Sequence, residues 1–123
     1  MEPNPVLLFV EDEPDLREAL VEYFEASGFT VLPAGTAEAA FRAAEGQDPD
    51  AVLTDLSLPD LKGDGFLEQF HVKHPNCRLF VHSGDSLFVP SPALVAMGLP
   101  PTSVFYKPAD LVLMADRILA ALR

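Results

Sequence analysis

Five short apolar segments, rich in Val, Leu and Phe, recur along the chain and constrain its fold more than any other feature. They cover residues 6–10, 29–32, 51–54, 79–82 and 103–106. Most of them are apolar at consecutive positions, which is typical of strands that are covered on both faces. The pattern therefore predicts a parallel sheet lying between two layers of helices.

The segments between these strands carry apolar residues at helical spacing, for example Leu16, Leu20 and Phe24 near the beginning of the chain. Four prolines within residues 85–102 leave room for at most a short fourth helix, which we expect to be atypical or irregular. Strand and helix alternating five times predict an α/β fold. The expected architecture is a flavodoxin-like, doubly wound sheet of five parallel strands in the order 2-1-3-4-5.

Length and charge restrict the function. With 123 residues, we expect one domain over residues 1–123 and no output domain in this chain. The formal net charge of −11 argues against direct binding to nucleic acid or to an anionic membrane. No apolar run approaches the ~20 residues of a membrane span, and Met1-Glu2-Pro3-Asn4-Pro5 lacks the basic start of a signal peptide. The single cysteine, Cys77, cannot form an internal disulfide, which fits a reducing compartment. Together these observations predict a cytoplasmic protein.

Polar side chains follow the strands at one edge of the predicted sheet. Glu11 and Asp12 come after the first strand, and Asp55 comes directly after the third. In the order 2-1-3-4-5 these two strands are neighbours at the point where ligands bind, so the three carboxylates should lie together. Their mutual repulsion and their oxygen donors suit Mg²⁺, with Mn²⁺ as a second possibility.

Phosphoryl transfer is the chemistry that uses all the polar groups at this edge. Asp55 would be the nucleophile, Ser83 after the fourth strand would donate a hydrogen bond, and Lys107 after the fifth would supply a cation for phosphoryl oxygens. Taken one at a time, Asp55 and Ser83 are more easily read as turn or capping residues. A surface ion pair is the alternative for Lys107, but a position facing the three carboxylates explains this cation better, because it stands just before a new helix, where the helix dipole disfavours a positive charge. Only their joint placement favours a catalytic site.

These residues resemble the receiver domain of two-component response regulators, and the likeness covers nearly the whole chain. It rests on four motifs in order: Val10-Glu11-Asp12-Glu13-Pro14, then Asp55 with Leu58-Pro59-Asp60 and Gly63, then Ser83-Gly84, and Lys107-Pro108. The resemblance implies that Asp55 accepts a phosphoryl group from a histidine kinase or a histidine phosphotransfer protein. It also implies that Mg²⁺ is held by Glu11, Asp12, Asp55 and the backbone carbonyl of Ser57.

In the same family, Ser83 would be the switch hydroxyl, Lys107 the invariant lysine, and the Lys107-Pro108 bond commonly cis. Such a domain catalyses its own phosphorylation and dephosphorylation at Asp55, but it turns over no separate metabolite. Ser57 and Asp85 resemble the pair that tunes hydrolysis of the phosphoaspartate. The sequence names neither the kinase nor the downstream protein, and it leaves the oligomeric state open.

An alternative function starts from a departure from the family. Val104 stands three residues before the lysine, where receivers usually carry Tyr or Phe, and the prolines interrupt the fourth helix. Both features would fit a receiver-like interaction module that does not signal through phosphorylation. Two enzymes fit less well. A flavodoxin-like FMN protein needs a phosphate-binding loop where Glu11 stands, and a haloacid-dehalogenase-type phosphatase usually has a second aspartate where Ser57 stands.

Overall fold

A computed structural model of the chain describes residues 3–122, and Met1, Glu2 and Arg123 lie outside it. The start of the segment that we expected not to be a signal peptide therefore falls outside the described residues. Strand and helix alternate five times, and a single turn of 3-10 helix at Pro101–Ser103 precedes the last strand. The elements are β1 (Val6–Val10), α1 (Pro14–Ala26), β2 (Thr30–Ala34), α2 (Ala37–Gly46), β3 (Ala51–Thr54), α3 (Gly63–Lys73), β4 (Arg78–Ser83), α4 (Pro92–Ala96), β5 (Val104–Tyr106) and α5 (Leu111–Ala121).

All strand pairs are parallel, and the sheet order is β2-β1-β3-β4-β5. The predicted flavodoxin-like fold and its strand order are confirmed. Helices α1 and α5 cover one face of the sheet, and α2, α3 and α4 cover the other. Side chains of β1 alternate between the two faces: Leu8 and Val10 pack on the side of α2, α3 and α4, and Leu7 and Phe9 pack on the side of α1 and α5. Among residues 3–122, none of the helices could cross a membrane.

The fourth helix is as short as the prolines predict. It covers five residues, Pro92–Ala96, and begins after Ser91, whose hydroxyl accepts a hydrogen bond from the Leu94 N–H. Gly98 follows with a φ of +100°, a conformation that glycine adopts without the strain of a side chain. The expectation of an atypical fourth helix is confirmed, since Pro100 and Pro101 prevent it from continuing.

Strand β2 lies two residues further along than predicted at its end, and it is not covered on both faces. It is an edge strand that pairs only with β1, and most of its residues are exposed or half-buried. The Ala34 carbonyl accepts a hydrogen bond from the Glu11 N–H (2.9 Å), so Ala34 faces β1 and the preceding nitrogen, that of Pro33, faces outward. An edge is where a sheet tolerates a proline, because no ladder hydrogen bond is lost there.

The loop after β3 closes tightly on itself at Gly63. The Gly63 N–H donates to the Leu56 carbonyl (2.9 Å). A Cβ at this position would lie 2.6 Å from the Asp55 carbonyl oxygen and 2.6 Å from the Leu56 Cα. Both neighbours are backbone atoms, so they cannot turn aside as a flexible side chain would.

We therefore expect Gly63→Ala to lower the free energy of unfolding by about 1–3 kcal/mol, because the backbone around Asp55 must move to admit the methyl group. Chemical denaturation measures this change. Gly46→Ala is the matched control, since a Cβ there meets no atom within 4 Å. Equal stabilities of the two variants would contradict the close approach at Gly63.

His82 is a buried polar residue of β4. Its side chain is 3% exposed, and its Nδ1 has no hydrogen-bond partner among the described residues. Burial, together with the charge of Lys107, lowers the pKa of His82 from 6.5 to about 4. The folded protein therefore keeps this imidazole neutral at pH 7.

A neutral buried histidine makes the fold sensitive to acid. The unfolded chain binds a proton near pH 6.5 and the folded chain does not, so the stabilisation is complete above pH 6.5 and is lost as the pH falls toward 4. Between pH 6.5 and pH 4, the free energy of unfolding of His82→Val should fall by up to about 3 kcal/mol less than that of wild type. Denaturant titrations between these pH values measure it, and parallel curves for wild type and variant would contradict the neutral state of His82.

Candidate functional site

Three carboxylates meet where β1 and β3 end. Val10 and Thr54 are register partners, so the residues that follow them, Glu11 and Asp55, are neighbours across the two strands. Both are buried, Glu11 at 1% and Asp55 at 6% exposure, whereas Asp12 is exposed. One oxygen from each of Glu11, Asp12 and Asp55 lies within 4.8 Å of the others. The structure thus brings together the carboxylates that the sequence placed at this edge.

Lys107 forms ion pairs with both buried carboxylates. Its Nζ donates hydrogen bonds to Asp55 Oδ2 (2.7 Å) and to Glu11 Oε1 (3.0 Å). The Lys107 N–H donates to the Ser83 carbonyl (2.7 Å), which fixes the backbone of the lysine at the end of β4. The cation therefore approaches the acidic cluster from β5, across the end of β4.

The two buried carboxyl groups respond differently to the same cation. Burial would raise the pKa of Asp55, but the hydrogen bonds from Lys107 and from the Ser57 N–H outweigh it, and the pKa lies below its usual value. For Glu11, burial outweighs the more distant Lys107, and the pKa is raised. Burial alone would lower the pKa of Lys107, but the hydrogen bonds to Asp55 and Glu11 outweigh burial. The pKa is raised above its usual value, so the ammonium stays charged.

Ser57 and Ser83 lie on either side of this cluster. The Ser57 N–H donates to Asp55 Oδ1 (3.1 Å), so both oxygens of Asp55 accept a hydrogen bond. Ser83 is buried, but its hydroxyl contacts the backbone of Asp85, accepting from the N–H (3.0 Å) and donating to the carbonyl (3.4 Å). In this conformation Ser83 makes no hydrogen bond to Asp55.

Three further side chains hold the loops around the site, and sequence reasoning missed the role of each. The Arg17 guanidinium donates to the Glu11 carbonyl (2.7 Å), and the Tyr106 hydroxyl donates to the Phe88 carbonyl (2.7 Å). Asp60 accepts from two N–H groups at the beginning of α2. The first contact joins a helix side chain to the backbone six residues earlier, for which the sequence carries no periodic signal. The other two join segments that are distant in the sequence.

The donor set fits a hard divalent cation. One carboxylate oxygen from each of Glu11, Asp12 and Asp55 lies within 4.8 Å of the other two, and Asp12 is exposed to solvent. Three carboxylates against one lysine leave negative charge that a divalent cation would neutralise. Oxygen ligands of this kind are those that Mg²⁺ and Mn²⁺ prefer. The arrangement is therefore compatible with Mg²⁺ beside a deprotonated, buried aspartate.

Comparison with known proteins identifies one family over most of the chain. Residues 7–114 match the family model described as response regulator receiver domain. The transcriptional activator protein PfeR of Pseudomonas aeruginosa is 44% identical over 66 residues, which are 54% of this chain and 22% of PfeR. The photosynthetic apparatus regulatory protein RegA of Rhodovulum sulfidophilum is 30% identical over 119 residues, which are 97% of this chain and 62% of RegA. The chain thus spans less than two thirds of either protein.

Solved structures show the same fold. The receiver domain of the Francisella response regulator 1452 superposes with a TM-score of 0.83 at 18% identity, covering 97% of each chain. The non-phosphorylated HemR receiver domain of Leptospira biflexa superposes with a TM-score of 0.79 at 25% identity, covering 96% of this chain and 94% of that one. With a family match over residues 7–114 and a sheet of the expected order, the chain belongs to the response regulator receiver domain family of two-component systems.

Proposed function

We propose that this receiver domain is a Mg²⁺-dependent phosphorylation switch in which Asp55 accepts a phosphoryl group from a phosphohistidine. The observation that carries the proposal is the buried Asp55 carboxylate, held 2.7 Å from the Lys107 ammonium beside Glu11 and Asp12. The donor would be a histidine kinase or a histidine phosphotransfer protein, as the family implies. The residues of this edge divide the reaction among them.

Asp55 would attack the phosphorus atom through a carboxylate oxygen. A P–O bond to Asp55 forms as the P–N bond to the donor histidine breaks, and the electron pair of that bond leaves with the imidazole. Attack requires the ionised carboxylate, and the lowered pKa of Asp55 keeps it ionised at neutral pH. The N–H of Ser57 orients the carboxylate through Oδ1.

Glu11, Asp12 and Asp55 would hold the metal ion, with the backbone carbonyl of Ser57 as a further ligand. When bound, Mg²⁺ neutralises the negative charge that gathers on the phosphoryl oxygens and the carboxylates. Lys107 would bind another phosphoryl oxygen as a point charge. It already lies between Glu11 and Asp55, so it needs only a short movement to reach a group attached to Asp55.

Ser83 would bind the remaining phosphoryl oxygen after a change of partner. Its hydroxyl now contacts the Asp85 backbone, so a hydrogen bond to the phosphoryl group requires that contact to break. Asp85 lies in the same loop as Leu87 and Val89, which are 86% and 71% exposed. Phosphorylation would therefore be transmitted to an exposed apolar loop, which a downstream protein can contact.

The first test is the intact mass of the protein after incubation with acetyl phosphate. We expect wild type to gain one phosphoryl group in Mg²⁺ and none in a chelator, and Asp55→Asn to gain none. Asp116→Asn on α5 is the control, because it removes the same charge far from the site. Phosphorylation of Asp55→Asn to the extent of wild type would contradict the assignment of the acceptor.

The second test separates a switch from a receiver-like interaction module that does not signal through phosphorylation. Position 104 carries a valine that is buried in the core. This position therefore has no aromatic side chain whose rotamer could change with phosphorylation. We expect beryllofluoride with Mg²⁺ to shift the NMR amide signals of Asp85, Phe88 and Tyr106 in wild type and not in Asp55→Asn. Unchanged signals in wild type, despite shifts at Asp55 and Ser57, would favour the module.

A further inference from the structure

Asp60 ties the loop of the proposed metal site to a helix that contributes no ligand. Its Oδ1 accepts a hydrogen bond from the Ala37 N–H (2.9 Å), and its Oδ2 accepts one from the Glu38 N–H (3.0 Å). These are the first two N–H groups of α2, and they lie more than twenty residues from Asp60 in the sequence. The carboxylate therefore caps a helix from a distant loop.

The helix has its own local cap, so Asp60 is an addition to it. Thr36 precedes α2, and its hydroxyl accepts a hydrogen bond from the Ala39 N–H (3.0 Å). A local cap of this kind is a common way to begin a helix. The bidentate contact of Asp60 adds a link between two segments, and its negative charge suits the positive end of the helix dipole.

The other end of the same loop is fixed by the backbone. Gly63 packs against the Asp55 carbonyl and the Leu56 Cα, and its N–H donates to the Leu56 carbonyl. Between Asp55 and Gly63, Leu58 packs in the core beside α2, and Asp60 is the residue whose side chain hydrogen-bonds to that helix. Ser57, whose N–H orients Asp55, lies between Leu56, which accepts the hydrogen bond from Gly63, and Asp60.

We propose that Asp60 is a positioning residue for the metal and phosphoryl site: by holding the loop against α2, it fixes Ser57 relative to Asp55. The inference rests on the proposed function, since it assigns to Asp60 the placement of Ser57, whose N–H orients the nucleophile and whose carbonyl would bind the metal. Removing the Asp60 carboxylate leaves Glu11, Asp12, Asp55 and Lys107 in the chain but deletes the two hydrogen bonds that hold the loop to α2.

The experiment compares Asp60→Ala with Thr36→Ala. Each variant removes a cap from the same end of α2, so each should be destabilised. Only Asp60→Ala also removes the hydrogen bonds between the β3–α3 loop and α2. Because the chain has no tryptophan, Mg²⁺ affinity is measured by calorimetry and by an NMR titration that follows the Ser57 amide. The Ser57 amide signal is also compared in the metal-free proteins.

We expect Asp60→Ala to weaken Mg²⁺ binding about tenfold, which is the smaller end of the effect seen when residues that orient metal ligands are removed. Thr36→Ala should change the affinity less than about twofold. Asp60→Asn, which keeps one acceptor oxygen, should bind Mg²⁺ with intermediate affinity. The Ser57 amide should shift in metal-free Asp60→Ala and stay in place in Thr36→Ala.

Two outcomes overturn the inference in distinguishable ways. If wild type binds Mg²⁺ and both variants bind it equally well, Asp60 is a helix cap only, and the proposed function stands. If wild type neither binds Mg²⁺ nor accepts a phosphoryl group, the proposed function fails and takes the role of Asp60 with it.

Discussion

The ammonium of Lys107, placed between Glu11 and Asp55, is the interaction on which the rest of the site depends. Two carboxylates at 1% and 6% exposure would repel each other strongly in a buried setting. The lysine contacts both, at 3.0 and 2.7 Å, and so makes their joint burial possible. Because the three groups follow β1, β3 and β5, the site exists only where the sheet has the observed order.

The residues of the site continue the hydrogen bonding of the sheet. The Glu11 N–H donates to the Ala34 carbonyl, the Asp55 N–H to the Val10 carbonyl, and the Lys107 N–H to the Ser83 carbonyl. Each residue stands one step beyond its strand and is still fixed by a neighbouring strand. Such placement limits the movement of the charged groups before a substrate arrives, and so reduces the reorganisation that the reaction requires.

The sequence was sufficient for the alternation of strands and helices, because apolar runs are local signals. The strand order was taken from the known order of flavodoxin-like sheets, and with that order the strand ends bring Glu11, Asp12 and Asp55 together. The sequence was insufficient for contacts that depend on how loops turn. The Ser83 hydroxyl lies on the Asp85 backbone, and Asp60 reaches the beginning of α2; neither contact has a periodic signature. The end of β2 was also missed, since Pro33 is acceptable only because its nitrogen faces outward.

Each border of the sheet carries a feature that disfavours pairing with a strand of another molecule. At one border, Pro33 removes an N–H donor from the outer side of β2. At the other, β5 is three residues long, too short to template a further strand securely. Growth of the sheet from molecule to molecule is therefore disfavoured on both sides, and helices and loops are left as the surfaces through which this domain can assemble.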